Sequence, residues 1–244
     1  MFPTICTIGP FSVYSYGVCL ALAAIICFFL LSRDARRRGI DAGVVSDLIF
    51  WSVVGGILGA RLLFVFLNWK VFMKNPLEII MIQHGGLAWQ GSLLGGFVTG
   101  SLYVRKKKLD FFKTLDLVAP YIALGQSIGR VGCFLNGCCH GREATWGIYF
   151  PVHHAYLVPT QLYALGSLLL IFLILKRAQV WVKIPGKVFV LYLVLASLQR
   201  FVIQFFRADY MPIVFGIDFF QLVCVGIIFA ALVLNLIISK KDRS

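Results

Sequence analysis

The chain has 244 residues, of which 60% are hydrophobic and only 14% are charged. Soluble domains average about 45–50% apolar and about 25% charged residues, so this composition excludes an ordinary soluble protein. The formal net charge of +13 does not indicate a nucleic-acid-binding protein, because the basic residues lie in short clusters between apolar runs. That distribution is typical of a polytopic helical membrane protein, and we expect no nucleic-acid partner.

The apolar runs predict an all-α fold with seven transmembrane helices in a single integral membrane domain, residues 1–244. The predicted spans are, in chain order, 11–31, 46–67, 93–104, 112 into the glycine-rich stretch 125–141, 159–175, 188–206 and 219–239. A proline and paired glycines in residues 76–96 predict a broken, half-inserted segment before the third helix. Residues 138–158 form the longest loop and predict a small external loop region.

The basic residues also predict the orientation of the chain. Most of the 23 Lys and Arg residues lie in four clusters that follow alternate predicted spans. The positive-inside rule places these clusters and the C-terminus in the cytoplasm, and the N-terminus and the 138–158 loop outside. The first apolar run lacks a preceding basic segment, so we expect it to remain as a transmembrane helix rather than to be cleaved as a signal peptide.

Three arginines, Arg61, Arg130 and Arg200, fall inside predicted spans, whereas none of the ten acidic residues lies in the middle of one. A buried charge without a carboxylate partner needs another compensating group, and guanidinium groups bind phosphate bidentately. An anionic lipid head group is therefore the ligand that we expect for Arg130 and Arg200. For Arg61 the alternative stays open that it snorkels or donates to backbone carbonyls.

Other polar residues allow two interpretations each. His84 precedes two glycines and is either a general base near neutral pH or a structural histidine. Tyr16 is either an interfacial anchor or a hydrogen-bond donor to a head group. Neutral amides also occur on apolar segments, where helix–helix hydrogen bonds are their commonest use: Gln90, Gln126, Asn136, Gln161 and Gln204.

The paired cysteines Cys138 and Cys139, followed by His140, raise the question of a metal site. The C-x-x-C spacing of zinc folds is missing, so we expect no metal site and no cofactor. The roles of these two cysteines and of Cys133 stay open.

The stretch Gly129-Arg130-x-Gly132-x-Phe134-Leu135-Asn136, followed by Gly141, resembles the signature of bacterial prolipoprotein diacylglyceryl transferases, G-R-x-G-N-F-x-N-x-E-x-x-G. Further matching pieces follow the same order along the chain: Tyr16-Gly17, Gly59-Ala60-Arg61, His84-Gly85-Gly86-Leu87, Pro159-x-Gln161-Leu162-Tyr163, Arg200-Phe201 and Phe205-Phe206-Arg207. The resemblance covers essentially the whole chain.

The resemblance implies a seven-helix enzyme of the bacterial inner membrane whose active site faces the outer side. Such enzymes transfer the diacylglyceryl group of phosphatidylglycerol to the lipobox cysteine in the signal peptide of a preprolipoprotein. They form a thioether and release glycerol phosphate, which is the first step of lipoprotein maturation. The bilayer, phosphatidylglycerol and the preprolipoprotein are thus the implied partners.

By the same resemblance, Arg130 and Arg200 hold the lipid phosphate, and Arg200 lies close to the leaving group. The other residues that we expect to line the lipid site are Tyr16, Arg61, Asn136, Gly141, Gln204 and Arg207. The catalytic candidates are Arg130, Arg200, His84 and Gln90.

The chain departs from the family pattern at five positions: Gln90 stands for a histidine, Cys133 for an asparagine, Cys138 for a glutamate, Ala196 for a tyrosine and Gln204 for a glutamate. The first departure matters most, because the amide of Gln90 does not take up a proton near pH 7. The substrate thiolate would then form through His84, through water, or through the positive potential of the arginines. Which of these serves as the base is left open.

A divergent anionic-lipid-binding protein, or a lipid or solute transporter without transferase activity, is the alternative. A transporter should show internal repeats, and the sequence contains no convincing repeat of residues 125–141. A simple membrane scaffold would leave Arg130 and Arg200 without a purpose. Because both arginines are present, we predict an active transferase.

Overall fold

The computed structural model describes residues 1–8, 11–73, 75–81, 85–214 and 216–243. Helices dominate this part of the chain: α1 (Ser15–Arg37), α2 (Ala42–Leu67), the short α3 (Trp69–Phe72), α4 (Trp89–Lys106), α5 (Phe111–Asn136), α6 (Thr160–Trp181), α7 (Lys187–Gln204) and α8 (Phe219–Arg243). Five of the described helices, α1, α2, α6, α7 and α8, are long and apolar enough to cross a membrane. The chain is therefore a polytopic helical membrane protein.

Short antiparallel hairpins connect some of the helices in the described part of the chain. They pair β1 (Thr4–Ile8) with β2 (Phe11–Tyr14), β3 (Glu143–Phe150) with β4 (Ala155–Leu157), and β5 (Pro212–Val214) with β6 (Ile217–Asp218). The first hairpin corrects the predicted start of the first helix at residue 11. Residues 11–14 pair with β1 instead, so α1 begins at Ser15, whose backbone N–H donates to the carbonyl of Pro3 at 3.0 Å.

The chain divides into two compact units, one formed by Met1–Leu31 with Leu115–Ser244 and the other by Ser32–Thr114. In the Ser32–Thr114 unit, α2 and α4 pack along glycines that repeat every fourth residue, Gly55 with Gly59 and Gly91 with Gly95. A Cβ on Gly59 would come within 2.9 Å of the Cα of Gly95. Small residues at this spacing let the two backbones touch, as in many membrane helix pairs.

The core of the other unit lies between α5, α6 and α7, and α8 packs against α7. Its buried members are small or aliphatic side chains and one tyrosine: Ala119, Ala123, Leu168, Ile171, Leu175, Val188 and Tyr192. The carboxylate of Asp116 accepts hydrogen bonds from the backbone N–H groups of Gly186 at 2.6 Å and Phe189 at 2.8 Å. This buried cap fixes the start of α7 against α5.

Apolar side chains also cover the outer faces of the helices, as Phe229 and Leu236 of α8 do. Such continuous apolar surface fits contact with lipid tails rather than with water. The segment between α3 and α4 contains a short 3-10 turn, Pro76–Ile79, and otherwise has no regular structure in its described residues. The predicted loop 138–158 contains the β3–β4 hairpin.

Candidate active site: an arginine-lined cleft

A small cleft opens in the unit that contains α5, α6 and α7. The residues that line it come from these three helices and from the segments that follow α5 and α7: Arg130, Cys139, Thr160, Ala164, Gln199, Arg200, Ile203 and Arg207. Three of the residues are arginines and none is acidic. The structure therefore brings Arg130, Arg200 and Arg207 together around one space.

The guanidinium groups of Arg130 and Arg200 are both partly buried. Within the described part of the chain, neither forms a salt bridge or a hydrogen bond with another side chain. Arg200 lies over the ring of Phe220 at 5.3 Å, a cation–π contact that leaves its N–H groups free to donate. Asp209 lies within electrostatic reach of Arg200 but is already paired with Arg207, so the arginines of this partly dry cleft favour an anionic ligand.

Arg207 differs from the other two arginines because it has a carboxylate partner. Its Nε and Nη2 donate to Oδ1 and Oδ2 of Asp209, each at 2.7 Å. This bidentate hydrogen bond raises the pKa of Arg207 and, together with the positive charge, lowers the pKa of Asp209. Arg207 and the thiol of Cys139 also lie within electrostatic reach of each other. It is thus held in a fixed orientation with much of its charge already compensated.

Gly141 brings the segment of Arg207 to the cleft. Gly141 and Arg207 form an isolated antiparallel bridge, and the backbone N–H of Arg142 donates to the carbonyl of Phe206 at 3.0 Å. A Cβ on Gly141 would collide with the carbonyl oxygen of Phe206 and would lie 2.6 Å from the Cβ of Val158. Glycine is required here because two other chain segments approach its Cα closely.

Gln204 acts through a buried hydrogen-bond network. Its side chain is fully buried, and Nε2 donates to Oδ2 of Asp218 at 2.5 Å and to Oδ1 of Asp209 at 3.4 Å. Asp218 in turn accepts from the backbone N–H of Gln221 at 2.8 Å and caps the start of α8. Gln204 therefore positions Asp209, and through it Arg207, and it does not itself line the cleft.

Two further predicted residues lie near this site. Tyr16 is 40% exposed, and its ring packs at Gly132, where an added Cβ would lie 3.1 Å from Tyr16 Cδ2. Its hydroxyl is within electrostatic reach of Arg130. Asn136 is the last residue of α5 and lies two positions before Cys138. Neither residue lines the cleft itself.

Arg61 has a different environment, in the Ser32–Thr114 unit. Its guanidinium donates to five backbone carbonyls of the following segment: those of Glu78, Ile79, Met81, Gly85 and Gly86. It also lies over the rings of Phe64, at 5.9 Å, and Phe72, at 5.3 Å. These contacts correspond to the carbonyl-bonding alternative for Arg61 and occupy its donors. Arg61 thus holds the segment between α3 and α4 in place.

The other two catalytic candidates are Gln90 and His84. Gln90 lies in the first turn of α4 and is exposed. His84 lies outside the described residues. Its proposed role as a base therefore stays a prediction.

The cleft contains residues that the sequence analysis did not select, namely Thr160, Gln199 and Cys139. Asp209 was also missed, although it stands two residues after Arg207 and a pair at that spacing can share a turn. Gln199 directly precedes Arg200 in the chain, so its place near the arginines could have been predicted. For Thr160 there was no signal, because its place depends on how the 138–158 loop returns to α6.

The fold defines a polytopic helical membrane protein, and one of its clefts is lined by three arginines. The sequence pattern of the family described as prolipoprotein diacylglyceryl transferase matches residues 3–237. The chain belongs to this family.

Individual relatives agree with this assignment. A phosphatidylglycerol–prolipoprotein diacylglyceryl transferase of Staphylococcus xylosus is 35% identical over 97% of this chain and 89% of its own. The same-named protein of Staphylococcus haemolyticus is 36% identical over 95% of this chain and 86% of its own. That of Synechococcus elongatus is 37% identical over 85% of this chain and 77% of its own.

Proposed function

We propose that this protein transfers the diacylglyceryl group of phosphatidylglycerol to the lipobox cysteine thiol of a preprolipoprotein. The observation that carries the proposal is the pair Arg130 and Arg200, two guanidiniums that face one cleft and have no carboxylate partner among the described residues. The membership of the chain in the diacylglyceryl transferase family supports the reaction type.

In the proposed reaction, the substrate thiolate attacks the glycerol carbon that carries the phosphate ester. A carbon–sulfur bond forms while the carbon–oxygen bond to the phosphate breaks, and the bonding electrons leave with glycerol phosphate. Negative charge grows on the phosphate oxygens as the bond breaks. Arg130 and Arg200 stabilise that charge, because both line the cleft and neither is held in a salt bridge among the described residues.

The roles of the other residues follow from their contacts. Arg207 is a positioning residue that borders the lipid site, held by Asp209 and indirectly by Gln204. Gly141 permits the backbone approach that seats Arg207. Tyr16 and Asn136 lie next to the cleft and contact the glycerol backbone or head group of the lipid.

The proton of the substrate thiol needs an acceptor. Gln90 cannot serve near pH 7, so two routes remain in the proposal: His84 takes the proton, or the positive potential of the arginines lowers the thiol pKa until water suffices. A His84→Ala variant separates them. The first route predicts loss of activity that returns partly at high pH, and the second predicts little change.

The proposed location is the bacterial inner membrane. The chain acts as a single transferase domain with seven membrane-spanning helices and a half-inserted segment before the third, with the N-terminus outside and the C-terminus in the cytoplasm. This orientation is supported by the basic clusters that follow alternate helices. The segment of Gly141 and Arg207 then faces the outer side, where the signal peptide of a secreted preprolipoprotein presents its cysteine.

The test is lipidation of a lipobox peptide in micelles that contain phosphatidylglycerol, measured as a mass gain on the peptide. The parent protein should give a gain equal to one diacylglyceryl group, and a peptide with serine in place of cysteine should give none. Arg130→Gln and Arg200→Gln should each lose about 100-fold or more in rate, as is usual when one transition-state donor is removed. Well-folded parent protein without product would contradict the proposal.

A further inference from the structure

Three cysteines meet at the end of α5. The Sγ atoms of Cys133, Cys138 and Cys139 all lie within 4.8 Å of one another, and none of these thiols is in a disulfide. Cys133 is buried, and the other two are partly buried. We call this group the three-cysteine cluster. Neither the reaction proposed above nor the family signature uses it: the signature has asparagine at Cys133 and glutamate at Cys138.

The local chain path explains how residues five positions apart come together. Gly137 has a left-handed backbone with φ of 74°, which ends α5. The N–H of Gly137 donates to the carbonyl of Phe134 at 3.2 Å, and the N–H of Cys138 donates to that of Cys133 at 3.1 Å. These are the two hydrogen bonds of a Schellman motif, which folds the residue after the glycine back onto the last helical turn. Cys138 is thereby placed beside Cys133.

Buried partners on α6 then fix the two neighbouring cysteines. The carbonyl of Cys138 accepts from Nε2 of Gln161 at 2.7 Å, and that of Cys139 accepts from Oγ1 of Thr160 at 2.7 Å. Both donor residues are almost completely buried. Cys139 also has a positive φ of 61°, a conformation that a non-glycine residue holds only when its surroundings enforce it. The cluster is therefore built by the fold and does not depend on mobile side chains.

The donor set selects the kind of ion. Among the described residues, the group that could share one ion here offers three cysteine sulfurs and includes no histidine and no carboxylate. Zn²⁺ in structural sites takes four ligands, whereas soft thiolates favour Cu⁺. Three sulfurs at about 2.3 Å from one ion lie about 4 Å apart, so the cluster has to contract by less than about 1 Å. Arg207 lines the same cleft as Cys139, and its guanidinium offsets part of the thiolate charge.

We infer that Cys133, Cys138 and Cys139 form a three-coordinate thiolate site for one Cu⁺ ion. This replaces the sequence-based expectation of no metal, which rested on the missing C-x-x-C spacing. The ion enters as Cu⁺ and remains Cu⁺, so no electron is transferred, and the thiol protons are released to solvent as the sulfurs bind. The loaded site carries a net negative charge of two, from three thiolates and one monovalent cation.

Loading has a consequence for the cleft, which rests on the function proposed above. Cys139 belongs to the lining of the arginine cleft. A net negative copper–thiolate centre beside Arg130 and Arg207 competes with the lipid phosphate for the same positive potential. We therefore expect Cu⁺ to inhibit lipidation, mainly by raising the KM for phosphatidylglycerol.

The binding test uses the full-length protein in detergent under reducing, oxygen-free conditions. Cu⁺ is offered as its complex with a coloured chelator, and transfer is followed by the loss of that colour. We expect one tightly held Cu⁺ per chain and an X-ray absorption spectrum with three sulfur neighbours. Cys133→Asn, which introduces the residue of the family signature, and Cys138→Ser should each weaken binding at least about 10-fold.

Controls keep the test decisive. Cys6→Ser, which removes an exposed thiol outside the cluster, should leave the stoichiometry at one. The proposal is overturned if binding persists in Cys133→Asn, if it disappears in Cys6→Ser, or if Zn²⁺ is held as tightly as Cu⁺. Thermal unfolding of the metal-free variants shows whether each is folded. Because binding is read by spectroscopy, a protein that binds Cu⁺ but lacks transferase activity would refute the proposed function and leave this site standing.

Discussion

Replacing Gly141 by alanine tests how the site is assembled. The added Cβ would lie 2.6 Å from Cβ of Val158, 2.9 Å from its carbonyl oxygen, and closer still to the carbonyl oxygen of Phe206. Two of these three neighbours are backbone atoms, which cannot rotate away, so the segments on either side have to separate. Overpacking of this kind costs about 1–3 kcal/mol, and we expect the upper end.

The separation should displace Arg207, because its segment pairs directly with Gly141. A shift of about 1 Å in a positioning residue can cost on the order of 100-fold in rate. The assay combines thermal unfolding in detergent with lipidation of a lipobox peptide, and we expect a melting temperature lower by about 5–10 °C and a loss of activity of that order. Gly166→Ala is the matched control, because a Cβ there meets nothing within 4 Å. If the two variants were equally stable and active, this account of Gly141 would be wrong.

Three further predictions follow from contacts around Arg61, Gln204 and Asp209. Arg61→Lys cannot donate to five carbonyls at once, so backbone amide exchange in residues 77–81 and 85–88 should rise at least about 10-fold. The exposed control Arg177→Lys should leave this exchange unchanged, and equal exchange in both variants would refute the anchoring role of Arg61. Gln204→Glu loses the donor to Asp218 and places two buried carboxylates next to each other, so it should lower the free energy of unfolding at pH 7 by at least about 1.5–3 kcal/mol. Gln204→Met should lower it less, and the opposite order in thermal unfolding would contradict this prediction. Asp209→Asn removes the carboxylate partner of Arg207. Because Arg207 lowers the pKa of Asp209, the parent should be more stable than this variant above about pH 4, and the difference in stability should disappear as pH falls through the lowered pKa. A stability difference that instead changed between pH 5 and 8 would point to another group.

Much of the fold and of the cleft was predictable from the sequence. Apolar runs indicate the long helices, since length and hydropathy are enough to mark a membrane helix. The arginines Arg130, Arg200 and Arg207 were predictable as one group, because no acidic residue lies in the middle of a predicted span and the ordered resemblance connects the three arginines. The start of α1 was mispredicted because residues 11–14 are apolar enough to continue a helix, and only their pairing with β1 removes them from it.

The remaining features depend on the path of the backbone. Five carbonyls surround Arg61 because the segment after α3 folds back on α2, and carbonyl positions leave no trace in side-chain patterns. The hydrogen bond between Gln204 and Asp218 joins the end of α7 to the start of α8, and the sequence does not show which residues of the two helices lie next to each other. The three-cysteine cluster was partly predictable from the sequence. Glycine commonly ends a helix, so the position of Gly137 between Cys133 and Cys138 could have predicted the contact between these two cysteines.

The proposed transfer of the diacylglyceryl group is tested most directly by measuring both products of the reaction in one experiment. Phosphatidylglycerol with a labelled head group is supplied with a lipobox peptide; released glycerol phosphate is counted by its label, and modified peptide is counted by its gain in mass. We expect the parent protein to form the two products in equal amounts, and the control Arg37→Gln to do the same, because Arg37 is exposed and distant in sequence from the cleft residues. A double Arg130→Gln, Arg200→Gln variant should form neither product. Equal product formation by the folded double variant, or peptide modification without release of glycerol phosphate, would contradict the proposed transfer.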